Sequence, residues 1–158
     1  MLHMLSSGPT LALLLLGGYR KLVDAAVAEL AARGFEDVRP AHDFAMRAIE
    51  SGADSASELG RRMSVTKQAA AKTLHVLVER GYVSREPDPS DARRKRLTVT
   101  PLGAQVMREG EQIFDQLRLQ FEEQVGARQL QSFEKTLLAL VGDEPVRLDA
   151  PGWAAHAG

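Results

Sequence analysis

The chain has 158 residues, enough for one sizeable core, and its 44% hydrophobic and 26% charged residues are typical of a soluble globular protein. It contains no cysteine, which excludes disulfides, thiolate metal sites, cysteine nucleophiles and thiol-based redox sensing. The net charge is only −1, so the distribution of charge along the chain is more informative than its total.

The N-terminal part contains an apolar run, Leu11 to Leu16, that is too short to cross a bilayer. No Lys or Arg precedes this run, so a secretory signal is disfavoured and a cytoplasmic location is expected. Apolar residues recur at spacings of three, four and seven as far as Leu30, which predicts one long helix ending near Arg33 and Gly34. Its apolar face is broad enough to need a partner, either the rest of the chain or a second chain.

Three shorter helices are predicted next. Residues 39–52 fit a helix that ends at Ser51 and Gly52 and turns four residues inward: Phe44, Ala45, Ala48 and Ile49. Ser55 followed by Glu58 fits a capping box, which predicts a short helix to about Arg62.

The third of these helices begins after Thr66, its predicted N-cap, and ends at Gly81. One face carries apolar residues: Ala70, Leu74, Leu77 and Val78. The short segment Met63 to Val65 between it and the preceding helix gives the spacing of a helix-turn-helix. Ser64 occupies the turn position where glycine is frequent, so a left-handed turn conformation is not guaranteed.

A β-hairpin is predicted after Gly81. The segments YVSRE, residues 82–86, and RLTVT, residues 96–100, both alternate as strands do. The segment between them, PDPSDARRK, is rich in Pro and Asp and ends in basic residues. The pattern therefore predicts a hairpin with a long basic tip.

Two helices are predicted to follow the hairpin. Pro101 suits a helix start, and apolar residues then step by three and four along one face from Met107 to Phe121. After a break at Gly126, a second amphipathic helix extends to Val141 and precedes a tail that is rich in Pro, Gly and Ala. The chain is therefore expected to divide into an N-terminal helix at 1–34, a central region at 35–103, C-terminal helices at 104–142 and a weakly structured tail at 143–158.

The basic charge is concentrated in residues 61–96, which contain ten basic and four acidic side chains, a net charge of +6 against −7 for the remainder. Such a basic segment is typical of a nucleic-acid contact surface. The order helix, helix-turn-helix, hairpin predicts a mainly α fold with a small β-hairpin wing, a winged helix-turn-helix. In this fold, a helix enters the major groove while the hairpin follows the backbone or reaches the minor groove.

The candidate contacts of the recognition helix are the residues of its first two turns and one further residue: Thr66, Lys67, Gln68, Ala71, Lys72 and His75. A solvated helix face would present similar residues, but the small Ala69 to Ala71 keep this face slim, and a helix N-terminus favours a nearby phosphate. In the wing the candidates are Asp91, Arg93, Arg94, Lys95 and Arg96. Four adjacent cations repel one another, so their presence is better explained by counterion release from DNA than by stability. Asp91 is expected to hold the guanidinium of Arg93 by a charge-assisted hydrogen bond.

The run from Asp91 to Gly103, DARRKRLTVTPLG, resembles the wing signature of the MarR family of bacterial transcriptional regulators. The resemblance extends over roughly residues 11–141 and includes TKQAAAKTL in the recognition-helix position. It implies a homodimer that binds a pseudo-palindromic operator in double-stranded DNA, with Arg93 in the minor groove. By the same resemblance, residues 35–103 would form the DNA-binding domain, and the helices at 1–34 and 104–142 would form the dimerisation region. It also implies a small aromatic effector, for which Tyr19, His42, Phe44 and Met46 are candidate contacts, although ordinary packing explains them equally well.

Other classes of function find less support. The four histidines, His3, His42, His75 and His156, have no metal-ligand spacing, and the chain has no phosphate-binding glycine-rich loop or nucleophile elbow, so neither a cofactor nor catalysis is expected. The alternative within the same fold is a winged helix that serves as a protein-interaction or dimerisation module. That alternative predicts neither the basic hairpin nor an exposed, slim recognition helix.

Overall fold

A computed structural model describes residues 7–143, which contain six helices and one two-stranded antiparallel sheet. The elements in chain order are α1 (Gly8–Ala32), α2 (Pro40–Glu50), α3 (Ala56–Met63), α4 (Lys67–Glu79), β1 (Val83–Asp88), β2 (Asp91–Val99), α5 (Pro101–Val125) and α6 (Ala127–Val141). The predicted fold class, mainly α with a hairpin wing, is confirmed. None of the helices in residues 7–143 is long and apolar enough to cross a membrane. The predicted tail lies outside the described residues from 144 onward, as do His3 and His156.

Side-chain caps set the helix starts, as expected from the sequence. The Ser55 side chain accepts the N–H of Glu58 at 3.1 Å, and the Thr66 hydroxyl accepts that of Ala69, also at 3.1 Å. The predicted capping box at α3 is only half formed, because the Glu58 carboxylate pairs with Arg61 and Arg62 instead of turning back to Ser55. These pairs still suit the helix, since they place an acid in its first turn and bases in its last.

One core joins α2, α3, α4, the sheet and the adjoining parts of α1 and α5. Helix α2 turns Ala45, Met46 and Ile49 into this core. The prediction that Phe44 faces inward is wrong, because its side chain is 43% exposed. Met46 is two residues further along and so about 200° around the helix axis from Phe44. It takes the buried position, where its long unbranched side chain fills the space between packed helices.

The hairpin differs from the prediction in the position of its turn. Its strands continue to a two-residue turn at Pro89 and Ser90, so the basic run lies within β2 rather than at a loop tip. Pro87 pairs with Lys95, whereas Asp88 pairs with Asp91, so three residues of β2 have no partner on β1 and form a bulge: Ala92, Arg93 and Arg94. The predicted second strand is also shorter at its end, because Thr100 caps α5 instead of continuing β2.

The terminal helices leave much of their apolar surface uncovered. On α1, Leu11, Leu13 and Leu14 are exposed, and α6 buries only Leu130 among its described residues. Helices α5 and α6 contact each other through an edge-to-face pair, Phe121 and Phe133, with ring centroids 6.2 Å apart. Exposed apolar residues grouped in this way are typical of an interaction surface.

Candidate nucleic-acid interface and adjoining cavity

The helix-turn-helix is held by a tight turn between α3 and α4. Ser64 adopts the left-handed conformation, with φ 55° and ψ 40°, so the geometry expected of a glycine is reached without one. The glycine required for close approach lies at Gly60, where an added Cβ would lie 3.0 Å from the carbonyl oxygen of Val65. The turn can therefore fold back on α3 because Gly60, not residue 64, lacks a side chain.

One face of the first two turns of α4 points away from the core. Ala70, Leu74 and Leu77 are buried, and this packing orients the opposite face outward. The predicted contact residues on that face are exposed, apart from Ala71, which is half-buried: Thr66, Lys67, Gln68, Lys72 and His75. His75 lies 3.7 Å from the carboxylate of Glu79, one turn further along the helix.

All four cations of the wing are exposed along β2: Arg93, Arg94, Lys95 and Arg96. The predicted ion pair between Asp91 and the Arg93 guanidinium is not formed among the described residues. Instead, the Asp91 carboxylate accepts the backbone N–H of Arg93 at 3.0 Å, as Asp side chains commonly do two residues along a turn. Asp91 therefore fixes the main chain of the bulge and leaves the guanidinium available.

The turn itself is held by Asp88. Its carboxylate accepts the Ser90 hydroxyl at 2.7 Å and the Ser90 backbone N–H at 2.9 Å. These hydrogen bonds, together with the nearby charges of Arg94 and Arg96, lower the pKa of Asp88. The carboxylate consequently stays ionised and keeps the turn in place.

Thr100 and Gly103 fix the wing relative to α4 and α5. The Thr100 hydroxyl donates to the carbonyl of Gly81 at 2.5 Å and accepts the N–H of Gly103 at 3.1 Å. At Gly103 the backbone lies so close that an added Cβ would lie 2.2 Å from the carbonyl oxygen of Tyr82. Thr100 and Gly103, the Thr-x-x-Gly pattern at the end of the wing, thus hold the end of α4, the wing and the start of α5 together.

Two arginines of the basic segment have structural partners that the sequence did not indicate. Arg62 donates to the carbonyls of Ala48 and Ser51 at 3.3 and 3.0 Å, and so caps the C-terminal end of α2. Arg80, which follows α4, donates to the carbonyls of Glu36 and Asp37 at 3.1 and 2.9 Å. Part of the positive charge counted in residues 61–96 therefore holds the domain together.

A cavity of about 560 Å³ lies between α1, α2 and α5. Three of the four candidate effector contacts line it: Tyr19, Phe44 and Met46. Aliphatic side chains of α1 form most of one wall, among them Leu22, Val23 and Leu30. Its size and apolar lining are those of a site for a small organic molecule.

His42, the fourth candidate, is not among the residues that line this cavity. Its Nδ1 accepts the backbone N–H of Arg39 at 2.9 Å, so the imidazole caps the start of α2. Burial lowers the pKa of His42, and the charges of Arg80 and Arg39 lower it further, against an opposing effect of Asp37. The neutral ring that these surroundings favour is the form that can accept a hydrogen bond.

Both arginines at the cavity rim are paired with carboxylates. Arg47 of α2 donates to Asp43 at 2.7 Å and to Glu111 of α5 at 2.8 Å. Arg39 donates to Asp37, also at 2.7 Å. Within residues 7–143 there is no group of three or more His, Asp or Glu side chains that could hold a metal ion.

Comparison with known proteins identifies the architecture. The model of the MarR family matches residues 44–94, which run from α2 through the helix-turn-helix to the wing. None of the curated protein sequences matches the chain. The reduced form of MarR from E. coli is 25% identical, with a TM-score of 0.67 over 84% of this chain and 96% of that chain.

Two structures of the MarR family protein Rv2887 from Mycobacterium tuberculosis are also similar. Its complex with p-aminosalicylic acid is 25% identical, with a TM-score of 0.60 over 84% of this chain and 98% of that chain. Its complex with DNA is 22% identical and shares the fold, with a TM-score of 0.62 over the same shares of the two chains. The segment matched by the family model contains the helix-turn-helix and the start of β2, and the solved structures match 84% of the chain. Residues 44–94 therefore match the MarR family of DNA-binding transcriptional regulators, and the chain shares the fold of solved MarR proteins.

Proposed function

We propose that the protein is a repressor that binds a pseudo-palindromic operator as a homodimer and whose affinity for DNA is altered by a small organic molecule. The observation that carries the proposal is the pairing of an exposed α4 N-terminal face with a wing strand that bears four consecutive exposed cations. Because Thr100 and Gly103 join the wing to α4 and α5, the two surfaces are presented at a fixed separation. DNA has the matching features, a groove that admits a helix and an anionic backbone beside it.

In the proposed complex, Thr66, Lys67, Gln68, Ala71 and Lys72 lie in or beside the major groove. Gln68 is suited to reading bases, since an amide can form two hydrogen bonds with an adenine edge. The N-terminus of α4 and the two lysines suit phosphate oxygens, and His75 suits the phosphate side of the same face.

The wing is proposed to reach the neighbouring minor groove through Arg93. Its backbone is held by Asp91, and its guanidinium has no carboxylate within 4.0 Å in the described part of the chain. Arg94, Lys95 and Arg96 are then placed to contact the phosphates on either side.

Assembly as a homodimer is proposed from the uncovered apolar faces of α1, α5 and α6. Leu14 on α1 is 56% exposed and Leu138 on α6 is 68% exposed, and each belongs to a row of apolar residues. A second copy would cover such faces and would also supply a second recognition helix for the other half of a palindromic site.

A response to a small molecule is proposed from the cavity, because it lies between the terminal helices α1 and α5 and the DNA-binding part at α2. The lining includes Val38 and Arg39, which directly follow Asp37, and the Asp37 carbonyl binds Arg80 at the end of α4. A ligand that moves this segment would thereby move the recognition helix. The similar protein Rv2887 has been crystallised in complex with a small organic molecule, p-aminosalicylic acid, which supports a ligand site in this fold.

The alternative, a winged helix that only binds other proteins, is less well supported. It does not explain four adjacent exposed cations on β2, and Rv2887 has been crystallised with DNA. With DNA as the partner, the proposed place of action is the cytoplasm.

A gel-shift titration with the DNA upstream of the protein's own gene tests DNA binding. We expect a specific complex that resists a large excess of unrelated DNA, with a stoichiometry of two chains per operator. Light scattering after gel filtration checks the dimer without DNA. Equal affinity for operator and unrelated DNA, or a monomer at all concentrations, would contradict the proposal.

A further inference from the structure

The charges around the cavity indicate which class of molecule it accepts. We propose that the cavity binds an aromatic cation in preference to an aromatic anion, with Asp115 as the group that meets the positive charge. This inference rests on the proposed function, in which the cavity is the effector site. It adds the charge of the ligand and the residue that selects for it.

The two arginines in the lining are already neutralised. Arg47 lies between the carboxylates of Asp43 and Glu111, and these hydrogen bonds raise its pKa. Arg39 pairs with Asp37. An anionic ligand would have to displace a carboxylate from one of these guanidinium groups, and it would leave that carboxylate without its partner.

Asp115 differs from the other lining acids. It lies on α5 at the cavity and has no Lys, Arg or His nitrogen within 4.0 Å among residues 7–143. The charged residues of the lining are Arg39, Arg47, Asp43, Glu111 and Asp115, which together carry a net charge of −1. The cavity therefore offers one free carboxylate and no free cation.

Aromatic rings from three helices complete the site. Tyr19 comes from α1, Phe44 from α2 and Phe114 from α5, and each ring is between 42% and 49% exposed although it lines the cavity. The face of an aromatic ring carries partial negative charge and attracts a cation held within about 6 Å of its centre. Phe114 directly precedes Asp115, so ring and carboxylate are presented by the same turn of α5.

Three probes of similar shape test the charge preference: 1-methylquinolinium, the neutral 1-methylnaphthalene and the anion 1-naphthoate. Each is titrated into the full-length protein in the absence of DNA, and the heat of binding is measured. We expect the cation to bind more tightly than the neutral compound and the anion to bind most weakly. Asp115→Asn should lower the affinity for the cation by about two- to fivefold and leave the affinity for the neutral compound unchanged.

The matched control is Glu123→Gln, which removes the same charge from an exposed position on α5 that does not line the cavity. Tighter binding of 1-naphthoate, no binding of any probe, or equal effects of the two substitutions would overturn the inference. A gel shift with each probe separates this result from the proposed function. If 1-naphthoate binds and releases the protein from DNA, the ligand response stands and the charge preference fails. If the cation binds through Asp115 and the affinity for DNA is unchanged, the charge preference stands and the ligand response fails.

Discussion

The carboxylate of Asp91 and the backbone nitrogen of Arg93 lie 3.0 Å apart and form a hydrogen bond across the bulge of the wing. Because this bond holds the main chain, it can be removed without touching the guanidinium that is proposed to enter DNA. Asp91→Ala removes both the acceptor and the negative charge, whereas Asp91→Asn removes only the charge. We expect the Asn variant to bind operator DNA at least as tightly as the natural chain, since repulsion of phosphates is relieved.

The Ala variant should bind more weakly than the Asn variant, by about two- to tenfold, because a net hydrogen bond contributes roughly 0.5–1.5 kcal/mol. Fluorescence anisotropy with labelled operator measures both affinities under the same salt conditions. Equal affinity of the two variants would show that the bond to Arg93 does not position the wing for DNA.

Arg93→Ala should weaken operator binding and reduce its dependence on salt. Loss of one phosphate-neutralising contact lowers the slope of log affinity against log salt concentration by about one. The measurement is anisotropy at four or more salt concentrations. Arg128→Ala, an exposed arginine of α6, provides the same change of charge far along the chain from the wing. A slope that is equal in the two variants would place Arg93 outside the interface.

Gln68→Ala should change which bases are preferred at one position of each half-site, because a bidentate side chain contributes roughly 1–3 kcal/mol of discrimination. Selection from an operator pool randomised at single positions, followed by sequencing, measures the change. Lys72→Ala is the comparison, since loss of a phosphate contact weakens binding to all sequences alike. A uniform loss for Gln68→Ala would assign Gln68 to the backbone.

His42 should make stability depend on pH in the range just below neutrality. Its pKa in the folded chain lies below the value of about 6.5 for an unfolded histidine, so between these values the unfolded chain binds more protons. Stability is therefore highest above about pH 6.5 and declines as the pH falls, when protonation of the unfolded ring and loss of the acceptor at Nδ1 both oppose folding. Urea denaturation at pH 7.5 and pH 5.5 measures the difference.

His42→Asn keeps a hydrogen-bond acceptor that does not titrate, so the loss of stability between these two pH values should be smaller than in the natural chain. His75→Asn makes the same substitution at an exposed position of α4 and serves as the control. If the two variants respond to pH in the same way, His42 is not the group responsible.

Gly103→Ala and Gly110→Ala test how closely the wing is packed against α5. A Cβ at Gly103 would lie 2.2 Å from the Tyr82 carbonyl oxygen, so we expect a loss of about 1–3 kcal/mol in the free energy of unfolding. A Cβ at Gly110 has no neighbour within 4 Å, and Ala there should stabilise the helix by roughly 0.5–1 kcal/mol. Thermal and urea denaturation measure both, and equal effects would contradict the close contact at Gly103.

Much of the fold could be predicted from short-range features of the sequence, such as helix caps and breaks. The caps at Ser55 and Thr66 and the break at Gly126 depend on side chains within three residues, or on backbone freedom, and these are visible in the sequence. The extent of the wing strands did not follow from such rules. Pro87 and Asp88 have low strand propensity, yet they pair because a two-stranded sheet leaves free edges and a bulge absorbs the excess residues of β2.

Those features of the candidate site that depend on exposure and charge could be predicted from the sequence. Those that depend on contacts between residues far apart in the chain could not. The exposed face of α4 follows from helical periodicity. The basic character of the wing follows directly from its residue types, Arg93 to Arg96. The roles of Arg62 and Arg80 do not, because each binds carbonyls that are 11 or more residues away in the chain. For the same reason, the sequence could not separate His42 from the three candidates that line the cavity.

Helix α5 connects the parts of the protein that would have to move together. It runs without interruption from Pro101, beside the wing, past Phe114 at the cavity, to Arg118, which pairs with Glu134 of α6 at 2.6 Å. A straight helix of 25 residues, the length of α5, spans about 37 Å at 1.5 Å per residue. A small tilt at one end would therefore produce a larger displacement at the other. A tilt of only about 5° at one end displaces the other by about 3 Å, close to the rise of one base pair of DNA, which is about 3.4 Å.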